Sequence, residues 1–171
     1  VKANSNSDCE IIIHLYEKYG IEQTLQMLDG VFAFILYDEN IHQTFIARDT
    51  YGVRPLFIKE DTATICIASE LKQLINLDNK LNINQFALGT YSVYNVNNFK
   101  CIVKEKVFSK CLSFPSNFST IFSEEEVNFE CSRIRKSLVD AVIKRVDNTQ
   151  REISCLLSGG LDSSLIAALV N

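Results

Sequence analysis

The residues best suited to chemistry lie near the end of the chain, in the string Ser158-Gly159-Gly160-Leu161-Asp162-Ser163-Ser164. An apolar run, ISCLL at 153–157, leads into two glycines and then into the apolar periodicity of a helix. Glycines at such a turn let the backbone bend tightly and come close to a ligand. The helix that follows aims its unbonded N–H groups and the positive end of its dipole into the turn. The hydroxyls of Ser158, Ser163 and Ser164 add donors. This is a place for a polyphosphate. It lacks the GxxxxGK spacing and the lysine of a Walker A loop. Asp162 repels a bare phosphate, so a magnesium-bound polyphosphate suits the turn better than a free anion. An ordinary strand-to-helix turn would use glycines too, but the complete string favours phosphate.

Other reactive residues are sparser. Only two histidines are present, His14 and His42, so a three-histidine metal site is excluded and neither stands in the setting of a nucleophile's base. Six cysteines are scattered without a CxxC pair, which predicts reduced, mostly buried thiols rather than a disulfide framework or a zinc site. Arg48 and Asp49 invite a catalytic reading, but adjacent opposite charges more often organise a loop. They are expected to form a buried pair that fixes the RDTYGVRP turn, with Gly52 supplying backbone freedom. Ser69 and Glu70 read as a helix start, and Arg54 receives no role.

The elements that must position these residues are legible from periodicity. Of 171 residues, 47% are hydrophobic, enough for a core, and the net charge of -4 argues against a nucleic-acid-binding face. No apolar run approaches the roughly 20 residues that span a bilayer. SDCEIIIHLYEKYG predicts a helix with a Ser7/Glu10 capping box and a Gly20 stop, and IEQTLQML a second short helix. VFAFILY, QTFIAR, PLFIKE and TICIAS predict strands of an antiparallel meander, SELKQLINL a helix, and TYSVYNV and KCIVKEKVF two more strands. Residues 109–123 lack periodicity and read as a linker. SEEEVNFECSRIRKSLVDAVIKRV predicts a long amphipathic helix with a Ser123/Glu126 capping box and an apolar face of Val127, Cys131, Ile134, Leu138 and Ala141.

LLSGGLDSS resembles the pyrophosphate loop of the N-type ATP pyrophosphatases, which split ATP between the α and β phosphates. LDGVFAFILYD, ARDTYGVRPLF and ASELKQL resemble the class II glutamine amidotransferase domain. Together, in this order, they resemble the glutamine-hydrolysing asparagine synthetase family over nearly the whole chain. The resemblance implies an α/β (α+β) fold: the late part of an N-terminal-nucleophile αββα glutaminase sandwich in residues 1–108, a linker at 109–123, and at 124–171 the beginning of a parallel α/β ATP-binding domain of the adenine-nucleotide-hydrolase type. Its one obvious strand would be Ile153 to Leu157.

The resemblance also implies roles. Asp8, in SDCE, matches the aspartate that binds the α-amino group of glutamine; a helix cap is its plainer alternative. Ser158, Gly159, Gly160, Asp162, Ser163 and Ser164 match the pyrophosphate loop, and Leu156 a position whose backbone meets the adenine or ribose of ATP. The family's nucleophile is an N-terminal cysteine, which is not among these residues; Cys9 lies at a helix start and offers no terminal amine. The chain, opening on Val1, therefore reads as a fragment inactive on its own, with an apolar edge exposed near its C-terminus. The implied reaction is adenylation of L-aspartate by ATP with Mg²⁺, followed by amide formation with ammonia from L-glutamine, in the cytosol. A homodimer is the candidate assembly. A β-lactam synthetase-like relative and a truncated non-catalytic paralogue are the alternatives.

Overall fold

A computed structural model describes residues 5, 7–61, 64–75, 82–109, 123–149 and 151–171. The chain divides into two compact units, Val1–Pro115 and Ser116–Asn171.

In the first unit, α1 (Glu10–Met27) opens the chain, and Gly20, at φ +74°, splits it into the two helices that the sequence predicts. Among the described residues seven strands follow: β1 (Ala33–Asp38), β2 (Gln43–Arg48), β3 (Phe57–Glu60), β4 (Ile65–Ala68), β5 (Ile83–Gln85), β6 (Thr90–Asn95) and β7 (Cys101–Val107), with the short α2 (Leu71–Ile75) between β4 and β5. All pairings are antiparallel. They do not form one meander. β1, β2, β6 and β7 make a four-stranded sheet, and β4, β3 and β5 make a separate three-stranded one, so the chain changes sheets at the RDTYGVRP segment.

The reason is two-sided burial. Along β2, Phe45 and Ala47 face a core shared with Ile21 and Leu25 of α1. Ile46, between them, faces the other way into a core shared with Leu56, Ile58 and Phe86. Period-two alternation thus packs the first sheet against α1 on one face and the second sheet on the other. Leu74 of α2 is buried as that helix packs on β3, β4 and β5. The layers run helix, sheet, sheet, helix, as the αββα expectation requires.

A bulge in β6–β7 ties these layers together. Residue 92 faces two residues of β7, and the hydroxyl of Ser92 accepts from the N–H of Glu105, which sits at φ +43° (2.9 Å). The extra residue sends Lys104 and Lys106 to opposite faces, where a regular strand would align them. Lys106 and Tyr91 meet Glu22 on α1. Lys104 and Tyr94 meet Glu60 on β3.

In the second unit, α3 (Glu124–Asp147) begins with the predicted capping box: Glu126 N–H donates to Ser123 Oγ (3.3 Å) and Ser123 N–H donates to the Glu126 carboxylate (2.7 Å). That bond holds the Glu126 carboxyl below its ordinary range. α4 spans Leu161–Val170. The C-terminal half of α3 faces α4 across a groove lined by Leu138, Val142, Ile153 and Ile166, whereas Val127 and Ile134 are exposed. Residues 153–157 are not a strand, contrary to expectation. A strand exists only with a ladder partner, and among the described residues none pairs with this segment. The linker expected at 109–123 lies almost wholly outside the described residues.

The thiols also differ from expectation. Cys9, Cys131 and Cys155 are exposed and Cys66 and Cys101 half-buried, so none of these five is a core residue. Cys9 sits at a helix start, and Cys131 and Cys155 lie on segments with little packed over them. Cys111 lies outside the described residues.

Candidate functional site

The turn after ISCLL folds as its glycines dictate. Gly159 adopts φ +83°, a left-handed conformation that side chains resist. Gly160 is the extended N-cap of α4, with no side-chain cap. The first helical bond runs from Ser164 N–H to Gly160 C=O (3.1 Å), so the N–H groups of residues 161–163 precede the helical ladder. The hydroxyls of Ser158 and Ser163 meet at 2.9 Å, and Ser163 Oγ donates to Gly160 C=O (3.1 Å). Ser158, Gly159, Gly160 and Asp162 are exposed, Ser163 is half-covered and Ser164 lies on the first exposed turn. Leu156 is 96% exposed. The turn thus gathers every residue assigned to it from the sequence on one open bend. No side chain within 4 Å crowds Gly159, and only Ser158 Oγ approaches Gly160.

The positive end of the α4 dipole and the N–H groups of residues 161–163 open onto the bend, while the Ser158 and Ser163 hydroxyls bond to each other and to Gly160. Among the described residues no three His, Cys, Asp or Glu side chains cluster to hold a metal. Asp162 is the acidic residue within this turn.

The second candidate, Asp8, belongs to the first unit. It is exposed, and its carboxylate touches the Cys9 thiol at 3.7 Å. It does not cap α1. The N-cap is Cys9, without a side-chain bond, and Ser7 Oγ accepts instead from Cys9 N–H (3.3 Å). The Ser7/Glu10 capping box is not formed, because the Glu10 carboxylate turns back to Ser5. Beside this segment, a cleft of about 440 Å³ lies between α1 and β1, with Cys9, Tyr16, Phe34 and Asp38 among its walls. Tyr16 OH donates across it to Asp38 (2.6 Å); burial first, then that bond, pushes the phenol well above its ordinary value. Sequence reading missed this cleft, whose only signal is the break between the apolar periods of α1 and β1.

Arg48 and Asp49 are buried, but they do not pair with each other. Arg48 donates through Nε to Arg54 C=O (2.8 Å), through Nη1 to Phe86 C=O (2.7 Å) and through Nη2 to Gly52 C=O (2.7 Å). Asp49 accepts from the N–H groups of Phe32, Tyr51, Val53 and Arg54 at 3.0–3.3 Å. Each charge organises backbone on its own, so the loop-fixing role stands and the pairing does not. Arg54 takes part through its main-chain N–H and C=O. Glu70 accepts Gln73 N–H at the start of α2, in keeping with a helix start there.

Residues 1–132 match the glutamine amidotransferase domain family, and residues 133–171 match the asparagine synthase family. The chain is 44% identical over 177 residues to the glutamine-hydrolysing asparagine synthetase of Cricetulus griseus, covering 96% of this chain and 31% of that protein. It is 44% identical over 174 residues to the enzyme of the same description in Homo sapiens, covering 94% and 31%. The chain thus spans about a third of the length of the curated relatives it matches, 31% in each case. Among solved structures, the glutamine phosphoribosylpyrophosphate amidotransferase of B. subtilis, complexed with ADP and GMP, aligns with a TM-score of 0.52 and 25% identity over 64% of this chain and 24% of its own. By its sheet-on-sheet fold and by the match over residues 1–132, the chain belongs to the glutamine amidotransferase domain family, and it runs on at 133–171 into a match to the asparagine synthase family.

Proposed function

We propose that the full-length protein makes asparagine, adenylating the β-carboxylate of L-aspartate with ATP and aminating it with ammonia released from L-glutamine. The succession of an amidotransferase match and an asparagine synthase match in one chain carries this reading. A carboxylate does not react with ammonia at useful rates because oxide is a poor leaving group. Transfer to the α-phosphorus releases pyrophosphate and makes AMP the leaving group. Residues Ser158, Gly159, Gly160, Asp162, Ser163 and Ser164 receive the departing pyrophosphate, with Mg²⁺ neutralising its charge, and the backbone at Leu156 meets the nucleoside. The exposed hydroxyls and the open bend support that role. Asp8, exposed and charged, receives the ammonium of glutamine.

The division of labour follows the boundaries 1–108 for glutamine, 109–123 for the connection and 124–171 for nucleotide. No described helix is long and apolar enough to cross a membrane; the cytosol is the proposed location and a homodimer the proposed assembly. Incubating the full-length protein with aspartate, glutamine and magnesium ATP tests the function. Asparagine, AMP, pyrophosphate and glutamate are expected in equal amounts. ADP and phosphate in their place would refute it.

A further inference from the structure

Glu10 is a carboxylate with only 14% of its side chain exposed, at the first position of α1. A charge so covered is costly unless hydrogen-bonded, and Glu10 is bonded in two directions. One oxygen accepts from both the N–H (2.7 Å) and the hydroxyl of Ser5; the other meets His14 Nε2 one turn along the helix (2.9 Å). From Ser5 the bonding runs on. Ser5 Oγ accepts from Ser7 N–H (3.2 Å), Ser7 Oγ accepts from Cys9 N–H (3.3 Å), and Ser7 C=O accepts from Glu10 N–H (3.3 Å). Ser5 and Ser7 are thereby tied to the first turn of α1. Asp8 lies in the turn between Ser7 and Cys9, exposed, and its contact among the described residues is with a thiol, a weak donor. Its oxygens keep their accepting capacity while the backbone beneath them is fixed.

We infer that Glu10, through Ser5 and Ser7, is a positioning residue that holds the Asp8 carboxylate in place for the ammonium of glutamine; the inference rests on the assignment of Asp8 to that group. Such preorganisation lowers the ordering that binding must impose and acts on substrate capture rather than on the chemical step.

Glutamine hydrolysis by the full-length protein tests this, with thermal melting to verify folding of each variant. Glu10→Ala raises KM for glutamine about tenfold, with kcat held within about twofold. Glu10→Gln, which keeps an acceptor for the Ser5 N–H, stays within about threefold of the parent KM. Ser5→Ala, at an exposed position that does not threaten the core, raises KM by roughly threefold and decides the matter if Glu10→Ala does not fold. Asp8→Asn raises KM strongly. An unchanged KM in Glu10→Ala and Ser5→Ala beside an impaired Asp8→Asn would overturn the positioning role alone. An unchanged KM in Asp8→Asn would instead remove the assignment beneath it. Loss of kcat at constant KM in folded Glu10→Ala would also overturn the inference.

Discussion

The Arg48 guanidinium fills the space that a side chain on Gly52 would need: an added Cβ would stand 2.9 Å from Cζ and Nη2 of Arg48. Gly52 also sits at φ +61°. Two independent penalties therefore meet at one glycine. Gly52→Ala is expected to destabilise the first unit by about 2 kcal/mol or more, from left-handed strain of roughly 1 kcal/mol plus displacement of a buried, triply bonded guanidinium. Arg48→Lys is expected to fail as a conservative change, because an ammonium cannot reach three carbonyls arranged around a planar fork. Urea unfolding of both variants measures this; midpoints equal to the parent's would contradict it.

The paired Tyr–Glu–Lys clamps on either face of β6 set a pH window for stability. Bonds from Lys106 and then Tyr91 hold the Glu22 carboxyl below its ordinary 4.5. Burial pushes Glu60 up, but the bonds from Lys104 and Tyr94 and the lysine charge outweigh it and leave this carboxyl low as well. A carboxyl depressed in the folded state adds stability that is present above 4.5 and lost as pH falls through its lowered value. Burial, and then bonding to Glu22 and Glu60, raise the phenols of Tyr91 and Tyr94 above their ordinary 10.0. Their contribution is present below pH 10 and lost as pH rises through the raised values. Glu60→Gln is expected to flatten the acid limb of an unfolding free-energy profile, and Tyr94→Phe the alkaline limb. Because the Glu60 side chain is 34% exposed, screening limits the pair to about 1 kcal/mol or less. An acid limb equally steep in Glu60→Gln would contradict the assignment.

At the proposed phosphate turn, Gly159 is the residue whose replacement separates backbone from hydroxyl effects. Gly159→Ala forces a side chain into φ +83° although open space surrounds it. In the full-length protein it is expected to raise the KM for ATP by about tenfold or more, from strain of about 1–2 kcal/mol at the turn. Ser158→Ala removes the hydroxyl that meets Ser163 and is expected to have a smaller effect in the same direction. Initial rates against ATP concentration distinguish the two; an unchanged KM in Gly159→Ala would remove this turn from the nucleotide site.

Much of this architecture is legible in residue order, for identifiable reasons. Gly20 as a helix break, Ser123 and Glu126 as a capping box, and Gly159-Gly160 before a helix are local, and local chemistry fixes them. What sequence misses is set by partners distant along the chain. The alternation of β2 says that residues face two ways, but not that a second sheet awaits Ile46. Ile83–Gln85 has too few residues and too little alternation to announce a strand, and only pairing with Phe57–Lys59 makes it one. ISCLL has the composition of a strand without a described partner. At the sites, Arg48 and Asp49 look like a pair because they are neighbours, yet neighbours at a strand end point apart, and each finds backbone instead. Ser7 and Glu10 have capping spacing, but Ser5 offers Glu10 two donors and wins.

The proposed reaction turns on one bond: the β-carboxylate of aspartate displaces pyrophosphate from the α-phosphorus of ATP. Aspartate labelled with ¹⁸O in its β-carboxylate, turned over by the full-length protein with glutamine and magnesium ATP, tests this most directly. One labelled oxygen is predicted to appear in AMP, because the carboxylate oxygen bonds to the α-phosphorus and leaves with it when ammonia attacks. Label in inorganic phosphate, with ADP as the nucleotide product, would contradict the account.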